Sequence, residues 1–368
     1  MTRLLCLTSH ADALISVRPE AESFIGLAAA GVSMHVMTQA DTPYVQRMRD
    51  ANIRVASFEP RGKISPRAIR QIRDYVIANA IDIVYAFNNR AISNAIWACS
   101  GLDVKLITYR GQTGNVERFD PSVLLTHRHP RVDGIICVAD AIRRYLRPRI
   151  APRVPIATVY KGHDLRWYQD APASRRDFQI PDDAIVIGCV ANNRPRKGVE
   201  YLIAAFRTLA SDKRLHLMLI GTGMDAQTLM AMPSDPGLRQ RIHLLGRRDD
   251  VGALTQLFDI AVLPALRREG LPKTLIEAMA YGVPCVGTET GGIPELIADA
   301  ESGFVVPVAD ADALAAAISR LTDDRMLRRR FGEAGRQRIV AHFSPDGTVR
   351  DTLRFFDQLT ETASALPG

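Results

Sequence analysis

The sequence predicts an α/β protein with two Rossmann-like domains that face each other across a cleft. Short apolar segments alternate with helix-patterned segments along the chain, which is typical of a parallel sheet with crossover helices. The alternation restarts after a polar, proline-containing stretch at 164–183. The 368 residues also correspond to about two domains. We therefore predict a first domain at 1–163, a second at 164–345, and a C-terminal helix and tail at 346–368.

The first domain is predicted to begin with a short apolar strand and to continue with alternating helices and strands. Gly31 is a suitable C-cap for a helix at 21–30. A second helix is expected at 66–80, where Ile69, Ile72, Val76 and Ile77 recur at helical spacing. After a final strand, the segment 159–164 is interpreted as a hinge in which Gly162 supplies backbone freedom. The predicted strands are 4–8, 33–38, 53–56, 81–86, 105–109 and 134–138.

The second domain repeats the same pattern, and a long terminal helix follows it. The terminal helix is expected at 345–362 and can cross back to the first domain. The predicted strands are 184–190, 216–220, 242–244, 260–263 and 285–287. The predicted helices are 199–210, 271–280, 311–321 and 324–341.

Composition places the protein among soluble globular proteins. Hydrophobic residues make up 47% and charged residues 24% of the chain, and no apolar run is long enough for a membrane span or a signal peptide. We expect a cytoplasmic protein, which can also rest on the inner face of the cell membrane. The cysteines lack metal or redox spacing and are predicted to be reduced core thiols: Cys6, Cys99, Cys137, Cys189 and Cys285.

Two glutamates after a predicted strand are the strongest candidates for chemistry. Glu269 and Glu277 lie eight positions apart behind the strand at 260–263. Gly270 lets the backbone approach a ligand, and Pro272 suits the first turn of a helix. The helix start favours a phosphate, and the carboxylates can accept hydrogen bonds from sugar hydroxyls. Taken alone, such a pair is more often a loop charge and a helix surface charge.

Three further features favour a ligand site at the ends of the strands. Gly291 and Gly292 follow the strand at 285–287 and permit close backbone approach to a charged ligand. The basic turn at 194–197, with Arg194, Arg196 and Lys197, can neutralise a diphosphate. A flexible turn at 221–223 follows another predicted strand.

The order of these motifs resembles the donor domain of the retaining GT-B glycosyltransferases of family 4. The resemblance covers most of residues 155–345, and its motifs are Lys197-Gly198, Gly221-Thr222-Gly223, Leu245-Gly246, Glu269 with Glu277, and Gly291-Gly292-Ile293-Pro294-Glu295. It implies that Glu277 binds the donor ribose, that Glu269 binds the transferred sugar, and that Lys197 and a nearby arginine bind the diphosphate.

The resemblance also implies further contacts, with two departures. Many members carry an arginine where this chain has Asn192, so Arg194 or Arg196 must supply the second charge, and we assign Arg194. Arg110 stands where many members have an active-site histidine, and it is either catalytic or structural. We predict Glu269, Lys197 and Arg110 as catalytic residues. The remaining predicted donor-binding residues, with Arg247 near the base, are Glu277, Arg194, Gly270, Leu271, Lys273, Thr274, Gly291, Gly292, Gly221, Thr222 and Arg247.

The implied reaction is transfer of a sugar from a nucleotide-diphosphate sugar to an acceptor hydroxyl with retention of configuration. No Asp-x-Asp follows a predicted strand in a suitable setting, so we predict a metal-independent enzyme with no cofactor besides the donor co-substrate. The histidines other than His163 show no paired spacing and are interpreted as ordinary surface or core residues.

The distribution of charge along the chain is the only feature that indicates the class of acceptor. Residues 1–170 have a balance of +8 and residues 171–368 a balance of −1. The clustered arginines of the first half form either a solvated face or a binding surface. Such a surface would attract an anionic membrane or a phosphorylated, lipid-linked acceptor, such as a bacterial surface polysaccharide or lipopolysaccharide intermediate. The arginines concerned are Arg67, Arg70, Arg73, Arg128, Arg131, Arg143, Arg144, Arg147, Arg149 and Arg153.

Other classes of protein fit the sequence less well. A nucleic-acid-binding protein would explain the basic first half, but the arginine clusters lack interleaved aromatic residues and no known module is present. We therefore expect no nucleic-acid partner. A sugar-nucleotide epimerase with the GT-B fold remains an alternative. A dehydrogenase is also conceivable, although no Gly-x-Gly-x-x-Gly follows the first predicted strand.

Overall fold

The computed structural model describes residues 1–9, 14–39, 43–114, 116, 121–224 and 235–364. The chain divides into two compact units. The first consists of Met1–Gly162 together with Phe343–Gly368, and the second is His163–His342. Both units are parallel α/β structures, as the sequence predicts.

The first unit contains a parallel sheet with helices in the crossovers. Its strands are β1 (Arg3–Leu7), β2 (Ser33–Thr38), β3 (Arg54–Ser57), β4 (Ile83–Ala86), β5 (Lys105–Arg110), β6 (Gly134–Cys137) and β7 (Ile156–Thr158). Its helices include α1 (Leu14–Ala29), α2 (Pro43–Asp50), α3 (Pro66–Ala78), α4 (Asn89–Ala98), α5 (Pro121–Leu124) and α6 (Asp140–Leu146). In the described part of the chain the strand order is β3-β2-β1-β4-β5-β6-β7.

Local chemistry explains where α3 begins, and packing corrects its predicted face. Ser65 precedes the helix, its hydroxyl accepts a hydrogen bond from the Ala68 amide, and Pro66 occupies the first helical position. Ile72 and Val76 are buried as predicted, but Ile77 is 59% exposed.

Helix α1 begins before Pro19, seven residues earlier than predicted, so the proline lies inside it.

The second unit repeats the arrangement. Its strands are β8 (Ile185–Val190), β9 (Leu215–Ile220), β10 (Ile242–Gly246), β11 (Ile260–Leu263), β12 (Cys285–Thr288) and β13 (Gly303–Val306). Its helices are α7 (Val199–Thr208), α8 (Pro236–Arg239), α9 (Val251–Thr255), α10 (Lys273–Ala280), α11 (Ile293–Leu296), α12 (Ala311–Asp323) and α13 (Arg325–His342). The strand order β10-β9-β8-β11-β12-β13 has its topological switch point between β8 and β11.

The last helix, α14 (Pro345–Ser364), belongs to the first unit, so the predicted return of this helix to the first domain is present. It packs against α1. Phe355, Phe356 and Leu359 join the apolar core formed around β1 and β2. The Thr348 hydroxyl donates to the Tyr160 carbonyl oxygen at 2.7 Å and accepts from the Gly162 amide at 2.7 Å.

The expected role of Gly162 needs correction. Its φ angle is not among the positive values that favour glycine. A Cβ atom at this position would lie 2.3 Å from the Pro345 nitrogen and 2.4 Å from the Ser344 carbonyl carbon. Glycine is needed here because the chain passes close to the start of α14, and not because the backbone must bend freely.

Burial agrees with the predicted cysteine chemistry, since all five thiols are free and buried. Burial raises the pKa of the Cys99, Cys137 and Cys189 thiols to about 12. Among the described helices, none combines the length and apolar character that a membrane crossing requires.

Candidate functional site

The predicted motifs of the second unit meet at the switch point of its sheet. Because β8 and β11 are neighbours, the loops that follow them lie side by side at the carboxyl edge. The Leu266 amide donates to the Arg196 carbonyl oxygen at 2.8 Å. Gly198 has φ +64°, and a Cβ atom there would lie 2.1 Å from the Pro264 carbonyl oxygen. The two loops therefore pack backbone against backbone.

Glu269 is buried at this point and is paired with two cations. Its Oε1 lies 2.6 Å from Nζ of Lys197 and 3.0 Å from Nη1 of Arg196. Only 5% of the Glu269 surface is exposed. The alternative of a solvated loop charge is therefore wrong, and the carboxylate is held where two basic side chains converge.

The paired glycines fix the backbone around Glu269. Gly291 has φ +56°, and a Cβ atom there would lie 2.1 Å from the Glu269 carbonyl oxygen. The Gly292 amide donates to the Gly270 carbonyl oxygen at 2.8 Å. Arg268 adopts φ +62°, which is uncommon for a residue other than glycine. The loop that was predicted to approach a ligand thus also approaches the neighbouring loop.

Glu277 lies in α10, and it is buried rather than on the helix surface. It is 9% exposed, and its Oε1 lies 3.2 Å from Nζ of Lys273, one helical turn earlier. Helix α10 begins at Lys273, two residues later than predicted, so Leu271 and Pro272 precede the first turn. The N-terminus of α10 has no side-chain cap.

A cavity of about 460 Å³ opens beside these residues. Its size falls in the usual range for small-molecule sites. Gly221, at φ +143°, belongs to its wall, and a Cβ atom there would lie 2.0 Å from the Ala191 carbonyl oxygen. The basic lining suits an anionic ligand. The lining includes Arg196, Lys197, Gly221, Thr222, Arg247 and Thr274.

Two family models match consecutive parts of the chain. Glycosyltransferase Family 4 matches residues 25–167, and Glycosyl transferases group 1 matches residues 170–338. The chain belongs to the family 4 glycosyltransferases.

Curated relatives of this family 4 glycosyltransferase act in several settings. N-acetyl-alpha-D-glucosaminyl L-malate synthase of Bacillus anthracis is 28% identical, with 68% of this chain and 66% of the relative covered. A GDP-mannose-dependent monoacylated alpha-(1-6)-phosphatidylinositol monomannoside mannosyltransferase of Corynebacterium glutamicum is 33% identical, with 48% of each chain covered. The lipopolysaccharide core biosynthesis glycosyltransferase LpsE of Rhizobium meliloti is 31% identical, with 46% and 49% covered. The chain thus spans about half to two thirds of these relatives.

Solved structures show the same fold along the whole chain. A glycosyltransferase from Rickettsia africae has a TM-score of 0.80 and 17% identity, with 98% of this chain and 99% of that chain covered. Anabaena HepE in complex with UDP and glucose has a TM-score of 0.76 and 19% identity, with 100% of both chains covered. The family 4 glycosyltransferase described here therefore has the GT-B fold.

The predicted second phosphate ligand differs from the arginine that reaches the site. Arg194 is exposed, whereas Arg196 contacts Glu269 and lines the cavity. Asn192, which stands where many family 4 members have arginine, accepts a hydrogen bond from the Thr222 amide at 3.2 Å through its Oδ1. The predicted role of Arg194 stays a prediction, and Arg196 is the arginine that the geometry favours.

Arg110 lies at the end of β5 in the first unit and is 7% exposed. Its Nε donates to the Gln112 carbonyl oxygen at 3.0 Å, and its Nη2 donates to the Gly114 carbonyl oxygen. Burial, with a smaller effect of Arg110, lowers the pKa of the neighbouring His127 to about 3. These contacts support the structural alternative for Arg110, and its catalytic role stays a prediction.

A polar cluster in the first unit was not predicted. Lys161 pairs with Glu20 of α1, which also accepts a hydrogen bond from the Thr8 hydroxyl at the end of β1. The Lys161 ammonium lies 4.7 Å from the centre of the Tyr109 ring. The only signal in the sequence is a lysine in the segment 159–164, because the partners come from distant elements.

Proposed function

We propose that this protein transfers a sugar from a nucleotide-diphosphate sugar to an acceptor hydroxyl with retention of configuration. The observation that carries this proposal is the convergence of Lys197 and Arg196 on Glu269 beside the basic cavity. Departure of a diphosphate needs positive charge at its oxygens, and these two cations are placed to supply it. The UDP and glucose bound by the structural neighbour HepE support a nucleotide-sugar donor.

The residues take separate roles in this proposal. Lys197 and Arg196 bind the diphosphate, Glu269 accepts hydrogen bonds from the transferred sugar, and Glu277 does so from the ribose. Arg247 follows β10 and lines the cavity, and its proposed role is to contact the base. With this cationic set, the leaving group needs no metal ion. Activity should therefore survive EDTA, and an NMR assignment of the product should show the donor's anomeric configuration.

Calorimetric titration with UDP, GDP, ADP and their sugars tests the donor site directly. We expect one base to bind, and we expect Glu277→Gln to weaken that nucleotide about tenfold, since it loses a charge-assisted hydrogen bond to the ribose. Glu301→Gln is the control, because Glu301 is an exposed carboxylate of the same unit that does not line the cavity. If none of these nucleotides binds the wild-type protein, the proposed function is wrong.

The proposed acceptor is a saccharide or a lipid-linked intermediate at the inner face of the cell membrane. Several of the predicted basic residues bind backbone carbonyls instead, among them Arg73, Arg131 and Arg147. Arg67 and Arg70 are exposed on α3, and Ile77 is exposed on the same helix. Cationic and apolar side chains together suit an anionic lipid surface. Two curated relatives are named for phosphatidylinositol mannoside and lipopolysaccharide core synthesis.

Vesicle flotation tests this surface. The wild-type protein should float with vesicles that contain anionic phospholipid and remain in solution with neutral ones. Arg67→Glu combined with Arg70→Glu should abolish flotation, whereas Arg325→Glu combined with Arg329→Glu, on exposed positions of α13, should not. Equal absence of flotation with both vesicle types would remove the membrane proposal.

A further inference from the structure

We infer that Glu269 is an internal counter-anion, which the donor diphosphate must displace from Lys197 and Arg196 before the sugar can be bound. This inference rests on the proposed function and adds a step to it. In the structure, the carboxylate of Glu269 forms ion pairs with the same two cations that are proposed to bind the diphosphate. The exchange would make binding of the donor depend on its sugar.

Lys197 and Arg196 contact the same carboxylate oxygen of Glu269. Oε1 of Glu269 accepts from Lys197 at 2.6 Å and from Arg196 at 3.0 Å, and the three side chains are 7%, 16% and 26% exposed, respectively. Such partly buried charge pairs are weakly screened by solvent. Arriving phosphate oxygens need the same N–H donors, so the phosphate and the carboxylate compete for them.

The backbone of Glu269 is fixed, so the exchange is a movement of the side chain. Gly291 packs against the Glu269 carbonyl, and the Gly292 amide binds the Gly270 carbonyl oxygen. Rotation of the side chain would release Oε1 while the loop remains in place. The freed carboxylate would then accept hydrogen bonds from a hydroxyl of the transferred sugar.

This exchange distinguishes the donor from the product. A nucleotide sugar displaces Glu269 and offers it a hydroxyl in return. A nucleoside diphosphate displaces Glu269 and offers nothing, so a buried carboxylate loses its partners. The product should therefore bind more weakly than the donor, and Glu269 should promote its release.

Inorganic pyrophosphate is the probe that isolates the cations, because it lacks base, ribose and sugar. We expect Glu269→Gln to bind pyrophosphate about tenfold more tightly than the wild type, as a charged competitor becomes a neutral one. Glu277→Gln removes the same charge from the same site and should change pyrophosphate affinity less than about twofold, since its carboxylate pairs with Lys273. An unchanged or weaker affinity in Glu269→Gln would overturn the inference, as would equal tightening in both variants.

Affinity for the nucleotides provides the second measurement. With the base that binds the wild type, Glu269→Gln should bind the nucleoside diphosphate more tightly and the nucleotide sugar no more tightly, so that the preference for the sugar form falls. Glu269→Asp keeps the charge on a shorter side chain, so its preference for the sugar form should be intermediate between those of the wild type and Glu269→Gln. This variant provides the measurement if the glutamine variant does not fold. An undiminished preference for the sugar form in both variants would overturn the inference.

The two proposals fail in different ways. If no nucleotide binds the wild type, the proposed function fails. If nucleotides bind but pyrophosphate affinity does not respond to Glu269, only the counter-anion role fails. Lys197→Met is the positive control, because it should abolish pyrophosphate binding while the thermal unfolding midpoint shows that the protein is folded.

Discussion

Nζ of Lys161 lies 3.1 Å from Oε2 of Glu20, although 141 positions separate the two residues in sequence. The side chains are 26% and 12% exposed, so this ion pair is largely removed from water. It joins α1 to the segment that follows β7, next to the Tyr109 ring.

Removing one partner of this ion pair should lower the stability of the protein. We expect Lys161→Met to lower the free energy of unfolding by about 2 kcal/mol, because the Glu20 carboxylate is left partly buried without its cation. The double variant Lys161→Met with Glu20→Gln should recover part of this loss. Urea unfolding followed by circular dichroism measures both. Additive losses in the double variant would show that the two residues are not coupled.

Two histidines that the sequence analysis treated as ordinary are paired in the second unit. Nδ1 of His216 lies 2.9 Å from Nε2 of His243 on the neighbouring strand. Burial, together with His243, Arg241 and Arg175, lowers the pKa of His216 to about 4, although Asp183 acts in the opposite direction. Burial also lowers the pKa of His243.

Acid should therefore weaken this pair. An unfolded histidine has a pKa of about 6.5, so the stabilisation is complete above that pH and is lost as the pH falls towards 4. Between pH 7.5 and pH 5, His216 should account for a loss of about 1–2 kcal/mol in the free energy of unfolding. Urea unfolding at both pH values should show a smaller loss in His216→Gln. The exposed His342 serves as control, and an equal reduction in His342→Gln would contradict this assignment.

A single methyl group at Gly291 should disrupt the donor site. Gly291→Ala introduces a Cβ atom 2.1 Å from the Glu269 carbonyl oxygen at a φ of +56°, so the Glu269 loop must move. We expect nucleotide affinity, measured by calorimetric titration, to fall at least about tenfold. Gly101→Ala has a similar φ of +71° with no atom within 4 Å, so it should cost only about 1 kcal/mol of stability and leave affinity unchanged. Wild-type affinity in Gly291→Ala would show that this packing is not needed.

The attachment of α14 depends on a buried hydroxyl. Thr348→Val keeps the shape of the side chain but removes both hydrogen bonds, to the Tyr160 carbonyl and from the Gly162 amide. We expect the free energy of unfolding to fall by about 2 kcal/mol, measured with urea. Thr360→Val, at an exposed position where the hydroxyl binds carbonyls of its own helix, should cost much less. Equal effects of the two variants would contradict the proposed attachment.

Much of the fold could be predicted because buried parallel strands are continuous apolar runs. The strand Ile260–Leu263 matches its prediction, and β8 and β9 differ from theirs by one residue. The final strand before residue 159 was expected without bounds, and β7 lies there with three partly exposed residues. Strand β13 was not predicted, because it has four residues and begins with a glycine. Short strands depend on pairing with their neighbours, which local sequence does not contain.

In the candidate site, too, some residues could be predicted from local sequence and others depend on tertiary contacts. Glu269, Glu277 and Lys197 could be named because each belongs to a motif at a strand end. The choice between Arg194 and Arg196 could not be made, since both lie in one basic turn and only its folding shows which guanidinium reaches Glu269. The His216–His243 pair had no local signal, because it is created by the pairing of β9 with β10.

The sequence by itself determined the class of fold and the family, because apolar periodicity and motif spacing are local properties of the chain. Tertiary structure alone decided which charges meet. The order of β8 and β11 in the sheet places Glu269 on Lys197 and Arg196, and the return of α14 makes Gly162 a packing residue. Contacts of this kind depend on distances of a few ångströms between remote elements, and those distances exist only once the sheets have formed.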